Sequence, residues 1–446
     1  MFNLIWSYHI VIHWQVRDTN LIYEYECHSF VLYRYSKRID MSTSAIIKSS
    51  KLLPSVQCAK TLVTQRRRFT SQLNQQQLDV KEKARAFAVE HLKPYASKLD
   101  RKGRFPFDQM RKLAEMGLMG ACVDKEYGGL GLDYLSLAVA VEEISRGCAS
   151  TGMLMSIHNF LYANLVNEKG TPEQKEKFLT DFTKGAIGCF ALSETDAGSD
   201  AAGIATRATR DGDHWLLNGK KSWVTSAIEG AAAAVFATVD PELRHKGMAC
   251  FLVPLDIEGV FRGNKEELIG VKAASACDLT LQEVRLPQGW LLGAPGDGFR
   301  LAMQQLDQAR VGIAAHAVGI AQAALDTAID YAKERIAFGK SLTRLPSVKD
   351  RLTEMCMLVE TARLLTYRAA TDVSTKNSAM AKYVAGRNAT AAADHCVQIL
   401  GGRGLCVRYD AERHYRDARG TQIYGGVTDV QKHLVGHYLL KEHGAL

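Results

Sequence analysis

Phe299 to Phe338 reads FRLAMQQLDQARVGIAAHAVGIAQAALDTAIDYAKERIAF, forty residues without a proline. At 1.5 Å per residue an unbroken helix of that length would run about 60 Å. Its alanines allow close packing, and the segment is apolar round most of its circumference. That predicts a core member of a helical bundle that also meets other subunits. Further helices are predicted from Val348 to about Val373 and from Ser378 to Leu400. On the N-terminal side the pattern changes twice. Residues 187–286 carry short apolar or alternating runs (GCFALSE, HWLLNGK, AAVFATVD, MACFLVPL, DLTLQEVRL) separated by turn signals such as RDGDH, which predicts seven or eight strands. From Val80 to about Thr183 apolar residues recur at three and four, as in FDQMRKLAEMGLMG, which predicts helices. The order helices, strands, helices defines an α+β chain, divided as 79–186, 187–296 and 297–446.

Of eight net positive charges, residues 1–78 contribute six, from ten Lys/Arg against four Asp/Glu. The remainder is near neutral, which argues against nucleic acid as a partner. The ten cysteines are scattered singly with no CxxC pair, so neither zinc nor a disulfide framework is expected. No run approaches the roughly 18 consecutive apolar residues that span a bilayer. Residues 1–78 read as a leader. Within it, 41–69 are basic, rich in Ser and Thr and free of Asp and Glu, the composition of a mitochondrial transit peptide. Residues 1–40, rich in Tyr, Trp and His, read as an upstream extension, with Met41 as a second candidate start.

Two local motifs have chemical potential. ALSETDAGSD, Ala191 to Asp200, leaves an apolar strand for a loop of small residues, where backbone N–H groups and the hydroxyls of Ser193 and Ser199 can approach a ligand. By itself it also fits a plain turn. In GKKSWVTSA, Gly219 to Ala227, Trp223 and Thr225 alternate with Val224 and would share one face of a strand, where they could flank a planar ring. By itself Trp223 also fits a core position.

Taken in series, these segments resemble the acyl-CoA dehydrogenase family, closest to its short-chain, butyryl-type members. The likeness covers about residues 79–446 and includes EEISRGCASTG, ALSETDAGSD, KKSWVTSA, LDQARVGIAAHAVGIAQAALD, ERIAFGK, QILGGRG and AERHYRDARGTQIYGG. The resemblance implies an N-terminal helical domain, a middle β-barrel-like domain and a C-terminal four-helix bundle, assembled as a homotetramer. It implies FAD as cofactor, a short-chain acyl-CoA as substrate, electron-transferring flavoprotein as electron acceptor, and the mitochondrial matrix as location. By motif position, Phe190, Leu192, Ser193, Trp223 and Thr225 would line the flavin ring. Arg335, Phe338, Gln398 and Gly402 would hold the FAD diphosphate and adenosine across a subunit interface. Ser199, Asp307, Arg310, Tyr424 and Gly426 would lie along the substrate.

The family's reaction takes a proton from the acyl α-carbon while hydride leaves the β-carbon for the flavin. The usual base is the Glu of a Tyr-Glu-Gly loop, and here that loop reads Tyr424-Gly425-Gly426. Some relatives carry the Glu just before the Arg of the long-helix segment LDQAR, where this chain has Ala309. Asp307 and Asp429 are the nearest substitute carboxylates, although surface or capping roles suit them better. Val427, Pro346, Lys349 and Arg408 are further departures from the family pattern in the same C-terminal region. Three readings stay open: a dehydrogenase with another base, a redox-neutral flavin-dependent acyl-CoA lyase, and a non-catalytic or impaired member that binds acyl-CoA and FAD.

Overall fold

The computed structural model describes residues 73–446. The leader expected over 1–78 therefore lies, up to residue 72, outside the described residues. The first helix begins earlier than the periodicity suggested, because Asn74 caps it. The Asn74 side chain accepts from the Gln77 backbone, and the Gln77 side chain accepts from the Asn74 N–H. The N-terminal helices are α1 (Gln75–Phe87), α2 (Lys93–Lys102), α3 (Phe107–Glu115), α4 (Tyr134–Gly147), α5 (Ala149–Ile157), α6 (Asn164–Lys169), α7 (Pro172–Phe178) and α8 (Thr180–Thr183). One wide π-turn, His158–Ala163, joins α5 to α6.

Eight strands follow: β1 (Gly188–Ala191), β2 (Arg207–Asp211), β3 (His214–Thr225), β4 (Ala232–Thr238), β5 (Met248–Pro254), β6 (Val260–Arg262), β7 (Ala276–Pro287) and β8 (Leu291–Leu292). They form one sheet ordered β6-β7-β3-β2-β4-β5-β8, with β1 parallel to β4. The central strands are buried on both faces. Ala233, Val235 and Ala237 of β4 and Ala249, Phe251 and Val253 of β5 join Leu217, Leu279 and Leu281 in the core that the sheet curls around. The alternate residues, Ala232, Ala234, Phe236, Met248, Cys250 and Leu252, pack outward on Tyr162, Phe178, Leu301 and Ala302 of the helices.

The long helix α9 spans Gly298–Glu334, 37 residues, four fewer at its C-terminus than the proline-free stretch. Arg335 turns extended and a two-strand ribbon follows, β9 (Ile336–Ala337) with β10 (Lys340–Ser341), turning through Phe338 and Gly339 at positive φ. Then come α10 (Pro346–Thr371), α11 (Thr375–Leu400), α12 (Ala411–Gly420) and α13 (Thr428–Glu442). Helix α9 touches α4 and the π-turn closely because two of its residues have no side chain. A Cβ on Gly319 would lie 2.3 Å from the Glu142 carbonyl, and one on Gly312 would lie 2.4 Å from the Phe160 ring. By length and composition α9 is apolar enough to cross a membrane, yet 78% of its most apolar window is buried inside the protein. Among the described residues all eight cysteines are free and no group of His, Cys, Asp or Glu is arranged to hold a metal.

The entry into the sheet is equally tight. Gly188 donates its N–H to His158 Nδ1, 3.1 Å away, and a Cβ on Gly188 would lie 1.9 Å from the Tyr162 ring. Gly188→Ala is therefore expected to lower stability by about 1–3 kcal/mol, the range for overpacked cores, in denaturant titration. A loss below 0.5 kcal/mol would mean that β1 and the π-turn are not packed this closely.

Candidate active site

Phe190 and Leu306 each pack against both cores where the helices meet the sheet, and the candidate residues form two groups. The first group is built around a buried ion pair. Lys221 of β3 is fully buried, and its Nζ lies 2.6 Å from Glu194 Oε1 and 3.0 Å from the Leu192 carbonyl. Glu194 also accepts from the N–H groups of Ala205 and Thr206 at 2.6 and 3.0 Å. Burial pulls the Lys221 amine down to about 8 against the pull of Glu194. Burial pushes the Glu194 carboxyl up, but Lys221 and the two backbone donors outweigh it and hold it below the ordinary range. The pair thus stays ionised at neutral pH.

That pair pins together the two motifs read from sequence. The Ser222 N–H donates to the Ser193 carbonyl at 2.9 Å, and the hydroxyls of Thr195 and Ser222 lie 3.2 Å apart. Leu192 and Ser193 are therefore held beside Trp223 and Thr225. The simple alternation expected there is interrupted, because the β3–β7 register shifts between Lys221 and Val224 and Trp223 sits at φ +61°. The left-handed backbone is uncommon for a bulky residue and is retained here by the surrounding ladder. Its effect is to present the indole outward, 60% exposed, while Val224 is buried. An exposed indole beside the half-buried Thr225 and a loop of hydroxyls is a flat apolar face with a polar rim. That surface suits a planar heteroaromatic ring such as flavin.

The second group lies on α9, α11 and the loop between α12 and α13. Arg310, almost fully buried, pairs with Asp307, which also accepts from Thr375 Oγ1 at 2.6 Å. The surface or capping role expected for Asp307 is thus replaced by a buried ion pair, and its oxygens are engaged. Burial raises the Asp307 carboxyl and lowers the Arg310 guanidinium. Asp429 is exposed in the first turn of α13. The phenol oxygen of Tyr424 is buried without a partner, its ring centroid 6.2 Å from that of His316.

Gly425 and Gly426 both have positive φ, +67° and +93°. The loop is not slack despite its two glycines. Lys382 donates to the Gly426 carbonyl, Gln431 Nε2 donates to the same oxygen at 3.0 Å, Gln422 Nε2 reaches Thr390 Oγ1 at 2.7 Å, and Thr428 donates to the Gln422 carbonyl at 3.0 Å. A Cβ on Gly425 would lie 2.0 Å from Ile313 Cδ1. Any side chain at 425 must therefore displace Ile313 and accept a left-handed backbone, a strain of about 1–2 kcal/mol.

The remaining sequence-selected residues are scattered over the surface. Ser199 is exposed in the loop after β1, near the exposed pair of Asp200 with Arg244. Arg335, Phe338, Gln398 and Gly402 are all exposed, Phe338 at 89%, and a Cβ on Gly402 would meet nothing within 4 Å. Four residues that organise the site were not singled out from sequence: Glu194, Lys221, Lys382 and Gln431. A usable signal existed for Lys382, the one charged residue on the helical face formed by Ser378, Ala381 and Ala385.

Models of the acyl-CoA dehydrogenase N-terminal, middle and C-terminal domains match residues 74–186, 189–284 and 296–440. The chain belongs to the acyl-CoA dehydrogenase family. It is 48% identical over 370 residues, 82% of this chain and 90% of the relative, to the mitochondrial short-chain specific acyl-CoA dehydrogenase of Bos taurus. The solved butyryl-CoA dehydrogenase of Megasphaera elsdenii superimposes with a TM-score of 0.81 at 37% identity, covering 82% of this chain and 99% of that one. A chain from the work on the electron transferring flavoprotein of Acidaminococcus fermentans matches with the same TM-score, 0.81, at 36% identity, covering 82% and 98%. As acyl-CoA dehydrogenases are oxidoreductases, so is this protein an enzyme of that class, with the family's helical, β and helical organisation.

Removing one partner of the buried pair should be severe. Lys221→Met leaves a carboxylate uncompensated and is expected to cost about 3–5 kcal/mol and to reduce flavin retained through purification. Glu194→Gln keeps only one of the two acceptor oxygens that the Ala205 and Thr206 N–H groups use, but Lys221 can then shed its proton, so this variant should cost less. Equal, small losses in both variants, read from denaturant midpoints, would show that the pair does not organise this face.

Proposed function

We propose that the protein is an FAD-dependent short-chain acyl-CoA dehydrogenase, acting in fatty-acid or branched-chain amino-acid oxidation, in which Gly425 occupies the position of the usual catalytic Glu. The observation that carries this reading is the outward-facing Trp223 and Thr225 surface, locked to Leu192 and Ser193 by the buried Glu194–Lys221 pair. Phe190, Leu192, Ser193, Trp223 and Thr225 would hold the isoalloxazine. Arg335, Phe338, Gln398 and Gly402 would hold the diphosphate and adenosine, an arginine and backbone N–H groups being apt for phosphate. When bound, FAD supplies the hydride acceptor.

The chain's own contribution is binding and orientation. Arg310, fixed by Asp307, presents a guanidinium whose Nε has no protein partner, suited to a polar group of the ligand. Ser199, Tyr424 and Gly426 would line the thioester and pantetheine, and the two glycines let ligand approach the backbone closely. The exposure of Phe338, Ile336 and Leu405, at 89%, 57% and 76%, supports a homotetramer in which partner copies cover them. The likeness to a chain from an electron-transferring flavoprotein study supports that class of flavoprotein as electron acceptor. The acid-free basic segment at 41–69, with the mitochondrial relative, supports import into the mitochondrial matrix.

A specific observation favours the impaired-member reading as the alternative: Ile313 fills the direction in which a side chain at 425 would point. The redox-neutral lyase has no such support. Flavin-loaded protein given butyryl-CoA and an artificial electron acceptor is expected to yield the 2,3-enoyl thioester, detected by mass. Flavin-loaded protein that forms no enoyl product from four- to six-carbon thioesters would establish the impaired reading instead. A reporter fused behind residues 41–69 should enter mitochondria, and one that stays in the cytosol would remove the location.

A further inference from the structure

A cavity of about 360 Å³ lies between the N-terminal helices and the end of α10, and it shares no residue with the two groups described above. That volume falls within the range of small-molecule sites. Gln77 of α1, the loop that leads into α4, and α6 supply most of its wall, and Ala370 and Thr371 of α10 complete it. Leu132, Leu135 and Ala370 give it apolar surface.

Asn164 lines this cavity and is only 2% exposed, yet among the described residues neither its side-chain oxygen nor its side-chain nitrogen has a hydrogen-bond partner. Leaving both groups of a buried amide unmatched is costly, and a ligand that matches them recovers that cost. The amide calls for a donor and an acceptor together, which a single hydroxyl provides.

The charge on the wall is of one sign. Asp133 and Glu168 line the cavity and no lysine or arginine does. Asp133 accepts from the Ser136 N–H at 2.6 Å and from Gln77 Nε2 at 2.9 Å. Burial pushes its carboxyl up, but these bonds outweigh burial and hold it below the ordinary range. One oxygen of Glu168 accepts from the Tyr134 hydroxyl and from Gln308 Nε2, and the other meets Lys169 Nζ at 3.7 Å. Both carboxylates act on the Cys122 thiol, another wall residue, which burial and then their charge push far up. Two carboxylates against one partly exposed lysine leave the cavity negative, a field that attracts a cation.

We propose that this cavity is a binding site for a short-chain amino alcohol. The hydroxyl donates to the Asn164 oxygen and accepts from its nitrogen, the methylenes lie along Leu132, Leu135 and Ala370, and the ammonium faces the Asp133 and Glu168 carboxylates. The site needs neither flavin nor thioester, so it stands apart from the dehydrogenase reading.

The test is calorimetric titration of the purified protein with aminobutanol at low ionic strength. Aminobutanol should bind saturably at one site per chain. Butylamine, which lacks the hydroxyl, and butanol, which lacks the charge, should each bind about tenfold or more weakly, and hydroxybutyrate should not bind. Asn164→Leu, close in shape and without the amide, should bind aminobutanol no better than it binds butylamine. Glu168→Gln, at the exposed rim, should weaken aminobutanol while leaving butanol unchanged. The comparison of ligands on the wild-type protein needs no variant to fold. No saturable binding of aminobutanol, equal binding of butanol, or wild-type affinity in Asn164→Leu would overturn the proposal.

Discussion

The Lys221–Glu194 pair is the constraint on which the Trp223 face of the sheet depends. A buried carboxylate is tolerated only when its charge is matched and its lone pairs are occupied. Glu194 meets both conditions with one ammonium and two backbone N–H groups, and Lys221 adds the Leu192 carbonyl. Three stretches distant in sequence are thereby joined: the loop after β1, the approach to β2, and the end of β3. The residues flanking the pair, Leu192 and Ser193 on one side and Trp223 and Thr225 on the other, have little freedom left. The left-handed Trp223 backbone is a local strain that this lattice can carry.

A second clamp fixes the loop that would carry the base. Arg416 of α12 donates to both oxygens of Asp100, at 3.1 and 2.7 Å, to Glu412, and to the Ile269 carbonyl at 2.9 Å. Asp417 accepts from the Val271 N–H at 2.6 Å, and burial raises its carboxyl to about 6. One short helix is thus tied to the N-terminal helices and to the β region, and its C-terminal end runs directly into Tyr424 and Gly425. The absence of a carboxylate at 425 is therefore a feature of a well-held loop. Behind that loop, burial and then the neighbouring Arg310 pull the Lys382 amine down to about 7.

Much of this was legible in the sequence. The proline-free stretch marked α9, and the short run AAVFATVD marked a strand of the β region. The change from threefold-fourfold spacing to alternation marked the β region. The motifs at Ala191 and Gly219 pointed to one face, and the structure brings them together. What the sequence could not reveal was pairing across distance. Nothing local distinguishes Glu194 from a loop carboxylate, or Lys221 from the exposed Lys220 beside it, since the partners are 27 residues apart. The end of α9 was also overextended, because IAF is as compatible with a helix as with a ribbon and only Phe338 and Gly339 at positive φ decide it. Asp307 looked like a surface residue for the same reason: its burial comes from Thr375 and Arg310 on packed helices.

The central claim is that a working flavin face survives beside a base position without a carboxylate. The visible absorption spectrum of the purified protein, recorded before and after anaerobic addition of butyryl-CoA, tests it most directly. The account predicts bound flavin close to one per chain, bleached by the thioester. A correctly folded but colourless protein that takes up no added FAD would contradict it.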